Sequence, residues 1–328
     1  MNVLFVVGAR PQFIKAKMLC DKFIKEKIHF SLLHTGQHYD YEMSEIFFKE
    51  LQIPKPYKNL DIGDCSPGQQ VSSIMDGVTK EIALCGYDRV VVFGDTNSTL
   101  AAALAADQAN VELIHVEAGE RCGNLLQREE KNRVIVDNIS EKNLCSNDVA
   151  QKNLAKEGLS GVETGDLMLE LLNKYRPKPK KALPYFVLTI HRQENMARLD
   201  EFMHLFSKSP FPIVFPCHPR TREKLRNVSN KITLVDPLGY SDMLRLMVDS
   251  KAVFTDSGGV TKEAVWLFKP VYVLRYESEW FYPHWTDVNP DIANVFKESN
   301  WEKRRPALPT WATSFGWKLP SENIFEYI

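Results

Sequence analysis

Three widely separated runs of the sequence contain the residue types best suited to chemistry, namely residues 8–15, 94–117 and 255–259. The first and the last of these runs follow an apolar strand pattern and enter a helix pattern. Free backbone N–H groups and the positive end of a helix dipole bind phosphate well at such a junction. The middle run supplies two carboxylates, Asp95 and Glu117. Phosphate-binding junctions together with carboxylates predict a cleft for a sugar nucleotide.

Cationic side chains occur where predicted strands end. Arg10 and Lys15 stand at the start of a predicted helix, where a cation opposes the helix dipole. Their presence therefore favours a bound anion over a plain solvated charge. His191 and Arg192 end another apolar strand, and two cationic groups at one strand end favour a diphosphate.

Other polar residues have a structural explanation that stays open beside the functional one. Asp95 and Ser257 are residue types that begin helices, so helix capping competes with chemistry for both. His115 lies inside an apolar strand and is interpreted as a buried, hydrogen-bonded core residue. The charged run 129–133 is, on charge pattern alone, typical of a solvated helix face.

The elements that must position these residues alternate between strands and helices. Continuous apolar runs are typical of parallel strands buried on both faces. In the first half they cover residues 3–7, 29–34, 89–93 and 111–116. This alternation predicts a doubly wound sheet of the Rossmann type.

The same rhythm restarts after a charged stretch interrupted by prolines, residues 175–181, which cannot continue a helix. Five further strand candidates cover residues 185–190, 212–215, 232–235, 252–255 and 270–274. We therefore predict two Rossmann-like α/β domains, residues 1–170 and 182–312. Ligands bind beyond the carboxyl ends of strands in such sheets, so the two sets of strand ends are predicted to face each other across a cleft.

Net charge, cysteine spacing and the lengths of apolar runs indicate which partners and which cellular compartment to expect. The chain has 328 residues, 41 basic and 42 acidic side chains and a net charge of −1, which predicts no nucleic-acid or membrane partner. Six cysteines without C-x-x-C spacing favour a reducing cytosol over disulfides or structural zinc. Neither a signal-peptide pattern nor an apolar run of membrane-spanning length is found, so we expect a cytoplasmic protein.

Nine sequence blocks from Asn2 to about Glu279 follow one another as they do in the non-hydrolysing UDP-N-acetylglucosamine 2-epimerases, which the chain resembles. The blocks are GARPQFIKAKML, LLHTGQHYD, GDTNSTLAAALAA, HVEAGERCGN, EEKNRVIVDNIS, ETGDLMLE, IHRQEN, CHPRTRE and TDSGGVTKEA. The resemblance implies a GT-B-like fold, a homodimer, and a final helix at about 315–328 that crosses back onto the first domain. It also implies inversion at C2 of a UDP-linked N-acetylhexosamine without metal or nicotinamide cofactor.

The resemblance assigns roles to particular residues. In the family, UDP and the C2 proton are eliminated to give 2-acetamidoglucal, and UDP then adds back with a proton from the opposite face. The implied catalytic residues are Asp95, Glu117, Glu129 and His191. The implied substrate-binding residues are Arg10, Lys15, His218, Ser257, Gly258, Gly259, Glu263 and Arg275.

The sequence also departs from the family pattern. Arg128 replaces a proline before the paired glutamates, and Glu120 replaces a leucine, which is expected to alter the charge near the sugar. The segment 276–283 replaces a threonine-rich one. Gln37 and His218 match part of a second, activating nucleotide-sugar site of bacterial members, whereas residues 39–40 do not.

Several functions remain open at this point. A branch of the family epimerises UDP-2,3-diacetamido-2,3-dideoxyglucuronate, whose extra carboxylate needs a cation such as Arg128, Lys131 or Arg275. A glycosyltransferase of the same fold would not need three carboxylates beside C2. A silent nucleotide-sugar-binding protein would have lost them, and a hydrolysing epimerase would release free sugar.

Overall fold

The structure is a computed structural model that describes residues 1–37, 45–63, 65–179, 184–226, 228–280, 286–297 and 319–328. The chain forms two compact units that divide between Lys174 and Tyr175. Each unit is built on one parallel sheet whose strands alternate with helices. The predicted α/β architecture with two doubly wound sheets is therefore confirmed.

The first unit contains a seven-stranded sheet in the order β3-β2-β1-β4-β5-β6-β7, with parallel pairing throughout. Its elements are β1 (Val3–Val7), α1 (Arg10–Lys25), β2 (Phe30–His34), α2 (Glu45–Glu50), β3 (Lys58–Asn59), α3 (Pro67–Cys85), β4 (Arg89–Phe93), α4 (Asn97–Gln108), β5 (Glu112–Ala118), α5 (Arg128–Ile139), β6 (Lys142–Cys145), α6 (Asp148–Lys156), β7 (Val162–Glu163) and α7 (Leu167–Tyr175).

The second unit contains a six-stranded parallel sheet in the order β10-β9-β8-β11-β12-β13. Its elements are β8 (Phe186–Thr189), α8 (Gln193–Met196), α9 (Leu199–Phe206), β9 (Ile213–Pro216), α10 (Pro219–Arg222), β10 (Ile232–Val235), α11 (Tyr240–Asp249), β11 (Ala252–Thr255), α12 (Gly258–Trp266), β12 (Val271–Val273), β13 (Thr286–Val288) and α13 (Ile292–Val295).

Strand order reverses at one point in each sheet, and ligands of doubly wound folds bind at such points. In the first sheet the reversal lies between β1 and β4, which Arg10 and Asp95 follow. In the second sheet it lies between β8 and β11, which His191 and Asp256 follow. The topology thus brings the predicted site residues of each unit to its binding edge.

The last helix, α14 (Pro320–Phe325), packs in the first unit against α1. The Phe325 and Phe23 rings meet edge to face with centroids 5.1 Å apart. Ser321 donates from its backbone N–H and its hydroxyl to Glu170 on α7, at 2.8 and 2.7 Å. Burial raises the pKa of Glu170, although the two Ser321 hydrogen bonds oppose this shift. Of the helix predicted at about 315–328, residues 315–318 lie outside the described residues.

Gly8, directly after β1, has no side chain and so allows the side chains of Thr35 and Ser98 to approach its backbone closely. A Cβ at this position would lie 2.1 Å from Thr35 Oγ1 and 2.2 Å from Ser98 Oγ, and these two hydroxyls are hydrogen-bonded to each other at 2.8 Å. We expect Gly8→Ala to lower the free energy of unfolding by about 3 kcal/mol, since overpacking a core typically costs that much. Urea denaturation measures this.

Gly68→Ala is the matched control, because nothing lies within 4 Å of its Cβ position in α3. This control is expected to be neutral or slightly stabilising. Equal stability of the two variants would contradict the role assigned to Gly8.

Candidate active site

The turn from β1 to α1 is closed by the side chain of Gln12. Its Oε1 accepts from the N–H groups of Gly8 and Ala9 at 2.8 and 3.0 Å. Its Nε2 donates to Phe93 O at 2.8 Å and to Thr99 Oγ1 at 2.9 Å. The N–H groups of Gly8 and Ala9 therefore already have a protein partner. A glutamine at the third helical position reaches back and occupies them.

Arg10 and Lys15, the two predicted cations of α1, have protein partners. The Arg10 guanidinium lies over the Phe47 ring, 4.8 Å from its centroid. Lys15 is buried, and its Nζ lies 2.7 Å from Glu117 Oε1. Arg10 thus begins the helix beside an aromatic ring, while Lys15 joins a predicted catalytic carboxylate.

Glu117 has an unusual backbone. Its φ is +69°, a left-handed conformation that costs most non-glycine residues about 1–2 kcal/mol. The register between β5 and β6 shifts here, between Val116 and Ala118. Gly94 supports the arrangement, because a Cβ on it would lie 3.2 Å from Lys15 Nζ and 3.6 Å from Glu117 Oε1. The bulge and the glycine leave room for the buried Lys15–Glu117 ion pair.

Asp95 is held by α5. Arg133 Nη2 forms a short ion pair with Asp95 Oδ2, and Asn132 Nδ2 donates to Asp95 O at 2.8 Å. Arg133 Nη1 also binds Glu130 Oε2 at 2.8 Å. Glu130 in turn accepts from Cys122 N–H at 3.0 Å and thereby fastens the loop before α5. One buried arginine therefore connects the strand-end carboxylate with the helix and the loop.

The solvated helix face expected for residues 129–133 is wrong for three of its members. Glu130, Asn132 and Arg133 are 1–3% exposed, because their partners lie directly after β4 and in the loop before α5. Glu129 is half-buried, and its side chain has no hydrogen-bond partner among the residues that the structure describes. It precedes Asn132 and Arg133 by three and four positions, so it shares their side of the helix, which is the side that contacts Asp95.

In the second unit, the buried carboxylate of Asp256, directly after β11, binds the segment that follows the neighbouring strand β8. Asp256 accepts from the N–H groups of His191 and Arg192 at 3.1 and 3.0 Å and from Asn195 Nδ2 at 3.0 Å. His191 Nδ1 lies 2.8 Å from Asp256 Oδ1, and its side chain remains 59% exposed. Burial raises the pKa of Asp256, but His191 and these donors outweigh it and bring the pKa to about 2.

The start of α12 combines a cap with a close approach. The Ser257 hydroxyl accepts from Val260 N–H at 3.4 Å, so the structural explanation of this serine is confirmed. A Cβ on Gly258 would lie 2.8 Å from Glu279 Oε1 and 2.9 Å from Trp280 Nε1. Glu279 is buried and pairs with Arg275 Nη1 at 2.9 Å. Because Gly258 has no side chain, the side chains of Glu279 and Trp280 can lie against the N-terminus of α12.

The remaining predicted residues have the following places. His218 follows β9, while Gly259 and Glu263 lie in α12, where Glu263 is buried. Glu120 is buried and accepts from Ser146 and Asn147.

Gln37 accepts from the Ser98 N–H at 3.1 Å and so holds the start of α4. Residues 39–40 and, of the segment 276–283 that departs from the family pattern, residues 281–283 lie outside the described residues.

The arrangement has two chemical parts. In the first unit, anionic side chains paired with buried cations can exchange protons with a bound molecule or stabilise positive charge on it. In the second unit, a histidine and a helix start suit an anionic group. Among the described residues, no cluster of His, Cys, Asp or Glu is arranged for a metal ion. The described helices include none that is long and apolar enough to cross a membrane.

Comparison with known proteins agrees with this geometry. A family model described as UDP-N-acetylglucosamine 2-epimerase matches residues 22–283. A Methanococcus maripaludis relative named UDP-N-acetylglucosamine 2-epimerase homolog is 38% identical and covers 100% of this chain and 99% of its own. The UDP-2,3-diacetamido-2,3-dideoxy-D-glucuronate 2-epimerase of Pseudomonas aeruginosa is 37% identical, with 85% of each chain covered.

A solved structure resembles the whole chain. It is the Methanocaldococcus jannaschii UDP-GlcNAc 2-epimerase in complex with UDP-GlcNAc and UDP, with a TM-score of 0.87 and 29% identity over 100% of this chain and 99% of that one. The GT-B-like fold expected from the sequence is thereby confirmed. The chain is accordingly a member of the UDP-N-acetylglucosamine 2-epimerase family and an isomerase.

Proposed function

We propose that the protein inverts C2 of UDP-N-acetylglucosamine to give UDP-N-acetylmannosamine. One observation carries the proposal: Asp95 follows β4 and Glu117 lies near the end of β5, these strands pair in parallel with Phe93 opposite Val116, and each carboxylate is paired with a buried cation. Neighbouring carboxylates suit a reaction that moves a proton at one carbon and develops positive charge at the next.

The chemistry explains why carboxylates are needed beside the sugar. The C2 hydrogen has no adjacent carbonyl, so a base alone would face a very weak acid. In the proposed first step, a base takes the C2 proton while the C1–O bond breaks and its electron pair leaves with UDP, which gives 2-acetamidoglucal. In the second step, a UDP oxygen adds to C1 and an acid delivers a proton to the other face of C2. Asp95, Glu117 and Glu129 are the proposed acid, base and charge-stabilising groups.

The nucleotide is proposed to bind the second unit. The α12 N-terminus at Ser257 and Gly258 and the exposed imidazole of His191 suit the diphosphate. Asp256 fixes His191 by a contact to its Nδ1. Arg10 is proposed to assist on the diphosphate, Glu263 to bind the ribose hydroxyls, and Gly259, His218 and Arg275 to complete the set.

A diacetamido-uronate substrate is the second candidate, because the chain is 37% identical to an epimerase with that name. Its carboxylate would need a cation close to the sugar. Arg275 is buried and paired with Glu279, so it suits this role less well than the exposed Arg128, which stands one turn before Asn132. Lys131 is also exposed, but it lies away from the Asn132 and Arg133 side of the helix.

The decisive experiment incubates the protein with UDP-N-acetylglucosamine in D2O and follows C2 by NMR. We expect deuterium at C2 and a UDP-linked N-acetylmannosamine product. Free N-acetylmannosamine together with UDP would indicate hydrolysing chemistry. No exchange at C2 would remove the assignment to this substrate.

A kinetic comparison separates the two substrates. kcat/KM for UDP-N-acetylglucosamine is expected to exceed that for the diacetamido-uronate and to change little in Arg128→Ala. A preference for the uronate that collapses in Arg128→Ala would establish the second candidate instead. We also propose that the protein is a cytoplasmic homodimer and that its product is a precursor of surface polysaccharides. Analytical ultracentrifugation measures the oligomeric state.

A further inference from the structure

His115 is a wholly buried histidine at the centre of β5 with a partner on each side of its ring. Its Nδ1 lies 2.6 Å from Asp137 Oδ1 on α5. Its Nε2 lies 2.7 Å from the carbonyl oxygen of Gly94, the residue before Asp95. The proposed mechanism has no use for this side chain, yet it joins the elements that carry the site.

The partners of Asp137 decide which atoms hold hydrogens. Its Oδ2 lies 2.7 Å from Arg121 Nη1 and accepts from Gly119 N–H at 3.1 Å. The Arg121 guanidinium and the Gly119 N–H both act on Oδ2, and a neighbouring positive charge together with a hydrogen-bond donor favours the anionic form of a carboxyl group. An anionic Asp137 and a backbone carbonyl can only accept hydrogen bonds. Both ring nitrogens of His115 must then be donors.

We propose that His115 is a positioning residue whose doubly protonated ring ties Gly94 to Asp137 and thereby fixes the turns that present Asp95 and Glu117. This inference rests on the proposed function for its catalytic meaning. Gly94 immediately precedes Asp95, and Gly119 follows Glu117 by two residues. Displacing either turn moves a carboxylate relative to C2, and a displacement near 1 Å can cost about 10²-fold in rate.

The charges around the ring balance. Asp137 faces it from α5, and Arg121, from the loop after β5, faces Asp137 and also binds Glu157 at the end of α6 at 2.7 Å. The Lys15–Glu117 pair lies beside Gly94. With a doubly protonated ring, the network of His115, Arg121, Asp137 and Glu157 holds two cations and two anions. Asp137 contacts the ring, and Glu157 contacts Arg121.

Two substitutions divide the role of the ring. His115→Gln places an amide N–H close to the Nε2 position and preserves the donor to Gly94 O. His115→Asn places one close to Nδ1 and preserves only the donor to Asp137. We expect kcat to fall about tenfold in His115→Gln and about 10²-fold in His115→Asn, with KM within about threefold of the parent. Equal or greater kcat in His115→Asn would overturn the proposed action through Gly94.

The protonation of the ring is tested on the unmutated protein without substrate. Long-range ¹H–¹⁵N NMR at pH 7–8 is expected to show both His115 nitrogens bearing hydrogens, and Asp137→Asn is expected to remove one of them. A ring with one bare nitrogen at pH 7 would overturn the proposal. Since this measurement needs no turnover, it separates failure of the inference from failure of the proposed function, which the D2O experiment reports.

Discussion

Asp95→Asn and Glu117→Gln are each expected to lower kcat by about 10²- to 10⁴-fold, the range usual for groups that transfer protons. Both substitutions keep the size of the side chain and remove its charge and its proton affinity. Initial-rate measurements with UDP-N-acetylglucosamine give kcat, and isothermal titration with UDP reports nucleotide binding. UDP affinity is expected to survive, because the nucleotide is assigned to the second unit.

Glu112→Gln is the matched control for this experiment. Glu112 lies at the opposite end of β5 and is also an ion-paired carboxylate, with Arg89 and Lys142 at 2.6 and 2.7 Å. Its substitution is expected to leave kcat unchanged within about twofold, since it lies far from the carboxyl ends of the strands. Normal turnover in Asp95→Asn or Glu117→Gln would remove that residue from the mechanism.

Arg133→Gln is expected to lower the free energy of unfolding by about 3–5 kcal/mol, because it leaves the partners of a buried cation uncompensated. The Arg133 side chain is 4% exposed and binds both Asp95 and Glu130. Urea denaturation measures the loss of stability. Where the variant folds, kcat is expected to fall by about 10²-fold as well, since Asp95 loses the group that orients it.

Arg89→Gln provides the comparison for Arg133→Gln. Arg89 also pairs with a carboxylate of the first sheet, but its side chain is 27% exposed. An ion pair open to solvent contributes about 1 kcal/mol or less, so this variant is expected to stay close to the parent in stability. Similar losses in the two variants would contradict the larger contribution assigned to the buried Arg133.

The sheets could be predicted because their central strands carry a local signal. β1, β4 and β11 are short apolar runs that are buried on both faces, and the sequence pattern indicates each of them. The strands β3 (Lys58–Asn59) and β7 (Val162–Glu163) were not predicted, since two-residue edge strands with charged members have no apolar pattern. Their pairing depends on neighbouring strands rather than on their own composition.

The sequence indicated candidate site residues but not the contacts that they make. Strand ends marked Asp95, Glu117 and His191, and the interpretation of His115 as a buried, hydrogen-bonded residue is confirmed. Arg133 was missed as a site residue, because a charge pattern does not show which distant carboxylate a side chain will meet. Asp256 belongs to the strand-end run 255–259 that the sequence indicated, but its contact with His191 was not predicted.

Most of the candidate site residues of the first unit, and the residues that bind them, lie in one uninterrupted stretch of chain. Asp95, Glu117, Glu129, Arg133 and Asp137 lie on β4, β5 and α5 or directly after them, and Lys15 joins them from α1. The ion pairs of Arg133 with Asp95 and of Arg121 with Asp137 both lie within this stretch, so a relative that acquired it by recombination would receive them together. The Lys15–Glu117 pair joins the stretch to α1, so the recipient would have to supply that lysine itself.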